Sequence, residues 1–249
     1  MNILPNRTVL SWLAALLVWE ALARFGVLSP VIVPGPSSIM AAAVTSADDF
    51  LEGIQITFME VVIATAIAVS FGVFFGGLLG LTRLGAVSSS PILAALFAVP
   101  LITWYPLFMT WFGLGSASKI AYGVVSGVFP IAIGTLVGVS GVEQQRIIFG
   151  RSIGCSPRQL FLRIILPLAL PSIITGIRIG VALVVIGVIV AEMLSSLGGV
   201  GYLISYHRTM FNTDHVYLGI LIALTFAYGV NRMLTFLEMR FSAWRELKD

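Results

Sequence analysis

The sequence predicts an all-α integral membrane protein with six transmembrane helices and both termini in the cytoplasm. Three observations carry that prediction. Of 249 residues, 58% are hydrophobic and only 10% charged, and the mean hydropathy is +1.03, far from the globular average. Six runs approach the roughly 20 apolar residues that a hydrocarbon core about 30 Å thick requires: 9–26, 56–82, 89–112, 118–140, 172–194 and 216–239. The basic residues fall unevenly between these runs, and that bias orients the chain. No polar linker or low-complexity run divides it, so residues 1–249 read as a single transmembrane domain.

The first run follows Arg7 and imitates a secretory leader, but Trp12, Trp19 and Glu20 interrupt it, which favours a retained span. The 27–55 connection carries Asp48, Asp49 and Glu52 without Lys or Arg and is assigned outside. Span two presents Gly72, Gly76 and Gly80 at four-residue spacing, a pattern that lets helix backbones approach closely in lipid. Arg83 marks an inside turn. Pro100 and Pro106 in span three and Pro130 in span four remove backbone hydrogen bonds and should kink or unwind those helices. The 141–171 connection holds Arg146, Arg151, Arg158 and Arg163 and is therefore cytoplasmic. Span five repeats the small-residue pattern at Gly176 and Gly180. Arg240, Arg245 and Lys248 place the C-terminus inside, leaving only Arg24, Lys119 and Arg208 outside.

Ionisable groups within apolar runs are costly and find a partner or a wet cavity. Glu60 and Arg178 lie deepest, with Glu20, Glu192 and Arg232 nearer the ends. The candidate translocation-pathway residues are Glu60, Trp104, Tyr105, Met109, Arg178 and Glu192, against the alternative of pairing and core packing. Catalytic chemistry is missing. There is no phosphate loop of the G-x-x-x-x-G-K-[ST] type and no G-x-S-x-G elbow. His207 and His215, eight apart, make no metal motif, and Gly198, Gly199 and Gly201 read as a flexible outer turn. Cys155 is the sole cysteine, so no internal disulfide forms. The pI near 9.3 reflects arginines beside spans and does not point to nucleic acid.

Residues 150–171, GRSIGCSPRQLFLRIILPLALP, concentrate charge and helix breakers. The local pattern predicts a helix over Glu143 to Ile153, a turn at Gly154 and Cys155, and a second helix with Ser156 as N-cap and Pro157 at its first position. Gln159 completes a capping box with Ser156. Leu160 and Ile164 share a face that Arg158 and Arg163 avoid. Pro167 and Pro171 are expected to end this helix before span five.

At these residues the chain resembles the permease subunits of ABC importers, whose cytoplasmic loop reads E-A-A, three residues, Gly, nine residues, I-x-L-P. Gly154 matches the glycine, and Ile164, Leu166 and Pro167 match the I-x-L-P, whereas Ile148, Phe149 and Gly150 replace E-A-A. The segments VPGPSSIM (33–40), PLITWYPLFMTWFGLGSASK (100–119), FPIAIGTLVG (129–138), LPLALPSIITGIRIG (166–180) and AEMLSSLGGVGYLI (191–204) extend the likeness to the nitrate, sulfonate and taurine branch. Glu60 stands where that branch commonly has a basic residue, and Ala64 where it has glycine.

The resemblance implies a type I ABC importer permease fold in a bacterial inner membrane. It implies a small, anionic solute delivered by an external solute-binding protein and driven by a cytoplasmic ATPase dimer that itself binds ATP and magnesium. A second permease copy completes the pathway, a homodimer being favoured over a heterodimer. The coupling residues it implies are Arg151, Ile153, Gly154, Cys155, Ser156, Pro157 and Arg158. Closure of the ATPases is then passed to the spans as a rigid-body movement, and Gly154→Asp should abolish transport and ATPase association without loss from the membrane. The alternatives are an ATP-independent secondary transporter or channel, and a membrane scaffold without solute flux.

Overall fold

The computed structural model describes the backbone of residues 4–242 and the side chains of residues 9–236. The side chains of Arg7 and Arg240, and all of Arg245 and Lys248, lie outside the described residues. In chain order the helices are α1 (Leu4–Arg24), α2 (Pro36–Thr45), α3 (Ala47–Gly80), α4 (Arg83–Ala98), α5 (Tyr105–Phe112), α6 (Ser116–Ser140), α7 (Gln144–Ser152), α8 (Pro157–Leu160), α9 (Leu166–Leu194), α10 (Val200–Thr209) and α11 (Thr213–Ser242). A 3₁₀ turn, Leu101–Trp104, precedes α5, and a π turn, Phe161–Ile165, joins α8 to α9.

Among the described residues four helical runs are long and apolar enough to cross a membrane: α3, α6, Pro157–Leu194, and α11 as far as Phe236. A fifth is the pair Arg83–Ala98 and Leu101–Phe112, bent by 80°. Phe71, Phe74, Phe75 and Leu78 all remain exposed on α3, an arrangement suited to hydrocarbon rather than water.

The described residues fall into two compact units, one drawn from Met1–Phe58 and Glu192–Phe226 and the other from Met59–Ala191 and Ala227–Asp249. In the first, Ile39, Ala42, Phe50, Leu203 and Leu218 form the core, with Trp19, Tyr202 and Tyr217 packed on it. In the second, α6 lies between α3 and α9 at distances only glycine permits. A Cβ on Gly76 would stand 2.3 Å from the Ala132 carbonyl oxygen, and one on Gly134 would stand 2.7 Å from Gly176 Cα. The four-residue glycine spacing of span two thus lies along α6, where Gly72 meets Ile131 and Gly80 meets Val139.

The prolines act differently from one another. Span three breaks where Val99, held extended (ψ 130°) before Pro100, stops α4. Pro106 is tolerated in the first turn of α5, and Pro130 sits inside an unbroken α6. The expectation that Pro167 and Pro171 end the helix before span five is corrected: both lie in one continuous run from Pro157 to Leu194. The π turn explains it. Leu166 N–H reaches back to the Phe161 carbonyl, and this widening relieves the clash of the Pro167 ring with the preceding turn.

Candidate functional site

The Arg-rich connection folds as an ordered helix–turn–helix. α7 ends in a residue of left-handed conformation, Gly154 at φ 80°. Around it Cys155 N–H donates to the Gly150 carbonyl (3.1 Å) and Gly154 N–H to the Arg151 carbonyl (3.0 Å). These two bonds form a Schellman cap, which satisfies two of the orphan carbonyls at the end of α7. Two residues later Ser156 opens α8. Its N–H donates to Gln159 Oε1 (2.9 Å) while Gln159 N–H donates to Ser156 Oγ (3.3 Å), so both halves of the capping box are made. The turn is pinned from both sides with nothing filling it: a Cβ on Gly154 would meet no atom within 4 Å.

What the turn presents is apolar and basic. Ile148, Phe149 and Ile153 are 56%, 64% and 62% exposed. Arg151, Ser156, Pro157 and Arg158 are exposed around them, and Cys155 is half-buried. Gly150 is buried beneath, where a Cβ would come 2.5 Å from Ile164 Cδ1 and 2.7 Å from Leu160 Cδ1. Gly150 therefore lets α7 settle on the helix that follows, over a core of Val139, Leu160, Ile165, Ala169 and Ile173. The departure at the third E-A-A position thus has a packing reason, which sequence spacing alone did not show.

The ionisable residues of the apolar runs are separated by the structure. In the second unit Glu60 on α3 pairs with Lys119 on α6 at 2.9 Å, both side chains at most 4% exposed. Arg178 Nε donates to Asn231 Oδ1 at 3.4 Å. Tyr105, Phe108, Tyr122 and Ala191 form a buried aromatic cluster with Trp104 and Met109 against it, and the Tyr105 and Tyr122 rings meet edge to face at 5.5 Å. In the first unit Glu192 is 1% exposed. Its Oε1 accepts from Thr57 Oγ1 (2.7 Å) and its Oε2 from Gly201 N–H (2.8 Å), while Thr57 Oγ1 accepts from Val200 N–H (2.9 Å). This carboxylate secures the N-terminus of α10, where negative charge is favoured. The glycine turn read as flexible is accordingly fastened: Gly199 sits at φ 105° directly over Glu192.

Sequence reasoning missed Lys119 as the partner of Glu60 and Thr57 as the partner of Glu192. The only available signal was the presence of a Thr and a Lys at the margins of apolar runs, because separations of 59 and 135 residues leave no local pattern. Among the described residues no three His, Cys, Asp or Glu side chains gather in a way that could hold a metal ion.

Residues 68–243 match the family described as "Binding-protein-dependent transport system inner membrane component". The taurine transport system permease protein TauC of Escherichia coli is 31% identical over 93% of this chain and 87% of its own length. The nitrate import permease protein NrtB of Synechococcus elongatus is 30% identical over 61% of this chain and 54% of its own. Among solved structures, an inward-facing MetNI methionine ABC transporter chain superposes with a TM-score of 0.58 at 20% identity, covering 76% of this chain and 98% of that one, a likeness of fold.

Proposed function

We propose, from the premise that the chain belongs to the binding-protein-dependent transport system inner membrane components, that its helix–turn–helix at 144–160 is the docking element for a cytoplasmic ABC ATPase dimer. The chain is an ABC importer permease subunit, a multi-pass inner-membrane transport component without an ATPase site of its own. Family membership implies ATPase and external binding-protein partners. Beyond that, residues 1–249 act as one permease domain with six crossings and both termini cytoplasmic. Two identical copies form the pathway, and ATP and magnesium are bound by the ATPase alone.

One observation carries the docking reading. An exposed trio of Ile148, Phe149 and Ile153 stands beside a doubly capped turn, on a loop whose arginines favour the cytoplasmic side. Exposed apolar side chains outside the hydrocarbon call for a protein partner, and the two caps keep them in a fixed presentation. Arg151 and Arg158 form the rim, with Ile153, Gly154, Cys155, Ser156 and Pro157 at the centre. The cargo is a small anion such as nitrate or an aliphatic sulfonate, by likeness to relatives that carry those names. The pathway is assigned to Glu60, Trp104, Tyr105, Met109, Arg178 and Glu192. Glu60 then acts with its charge offset by Lys119, whereas Glu192 is held by the neutral donors Thr57 Oγ1 and Gly201 N–H.

The test replaces Ile153 by Asp. Membrane insertion should persist, while ATPase copurification and ATP-dependent uptake of nitrate or an aliphatic sulfonate are lost. Retention of both would refute the docking role, and uptake by the unaltered complex of uncharged solutes alone would refute the anionic cargo.

A further inference from the structure

A cleft of about 270 Å³ opens in the first unit between the start of α3 and α10. One wall carries Asp49 and Glu52, both exposed, and the other Tyr202, Tyr206 and His207. No Lys or Arg is among its lining residues. The tyrosine rings stack at 5.9 Å and 29°, offering π faces opposite two carboxylates. His207 is 8% exposed, packed between Phe50 and His215, and its Nδ1 has no hydrogen-bond partner. Burial, and then the neighbouring His215, hold the His207 pKa below its ordinary value, against weaker opposition from Asp214 and Asp49. A neutral imidazole adds no competing positive charge to this wall. Two carboxylates, stacked aromatic faces and no Lys or Arg among the lining residues are together the complement of a guanidinium or ammonium group.

We propose that this cleft receives a basic side chain, arginine or lysine, of the external binding protein when that protein docks. The inference rests on the permease reading above. Asp49 and Glu52 belong to the 27–55 connection, which has no Lys or Arg and is assigned outside, so the cleft is read as external. The occupant is not the cargo: two carboxylates repel the anion that this permease is assigned to carry. Contacts of this kind at the edge of a protein interface chiefly set encounter rate and salt dependence, which suits a delivery protein that must arrive and leave.

The experiment uses the full permease–ATPase complex in nanodiscs and the purified binding protein that supports uptake through it. Asp49→Asn with Glu52→Gln should weaken its binding about tenfold at low salt and flatten the salt dependence. Glu52→Arg should weaken it further, and reversing the cognate basic residue of the binding protein to Glu should restore it. Asp48→Asn, a neighbouring exposed carboxylate outside the cleft, should leave binding as it was, and ATPase copurification reports that each variant has folded. Equal affinity and equal salt slope in wild type and double variant would overturn the proposal. So would stabilisation of the wild type by N-acetylarginine amide with no effect of the double variant on the binding protein, since the cleft then serves a free cation. If no binding protein stimulates ATP hydrolysis even in the wild type, the permease reading itself fails, a result distinct from the other two.

Discussion

Gly154 separates backbone geometry from side-chain contact, because its φ of 80° disfavours any other residue while the space around it is empty. Replacing it by Ala therefore adds no clash within this chain. The cost is that of a left-handed non-glycine residue, about 1–2 kcal/mol. A loss of that size shifts the equilibrium between open and closed turn roughly 5–30-fold, and an ATPase that binds only the closed turn loses apparent affinity by up to that factor. Asn tolerates this region and should lose little, whereas Val, branched at Cβ, should lose most. The assay is titration of purified ATPase subunit against the permease in nanodiscs, with thermal stability measured in parallel. The order Gly, Asn, Ala, Val in affinity, with little change in global stability, is expected. Equal affinities across the series, or Asn as harmful as Val, would refute the argument, the second because it would point to side-chain size at the docking surface.

Glu60→Gln removes the carboxylate with which Lys119 pairs in a buried site and should cost up to about 3–5 kcal/mol, seen as a lowered melting temperature; adding Lys119→Met should recover much of it. A Gly76→Ala change puts a methyl 2.3 Å from the Ala132 carbonyl oxygen and should destabilise by about 1–3 kcal/mol, while Gly77→Ala, whose nearest neighbour is 3.9 Å away, should be silent in the same melt. His207, with its pKa lowered from 6.5 by burial, favours the folded state while neutral. Its contribution is present above pH 6.5 and lost as pH falls through the lowered folded value, so the melting temperature should drop on acidification more in wild type than in His207→Asn.

The helical membrane class and the capped turn at 153–159 were legible in the sequence, because both depend on signals within a few residues. Apolar runs are local, and Ser156, Pro157 and Gln159 specify a helix start without help from the rest of the chain. Prolines were legible only in part. Pro100 breaks its helix, but Pro167 directly follows a π turn over Phe161–Ile165 that no sequence signal marks. The partners of the buried carboxylates were hidden for a different reason: Glu60 with Lys119 and Glu192 with Thr57 are set by how helices lie against each other, not by spacing. The cleft of Asp49, Glu52 and His207 was hidden likewise, since its walls are about 150 residues apart in sequence.

The lone cysteine makes the central claim directly measurable. Cys155 lies half-buried at the capped turn, so its rate of maleimide labelling, followed by mass spectrometry of the permease, reports whether a partner covers that turn. The account predicts that bound ATPase slows labelling strongly, and that Ile153→Asp abolishes the protection. Labelling at the same rate with and without a stoichiometrically bound ATPase would contradict it.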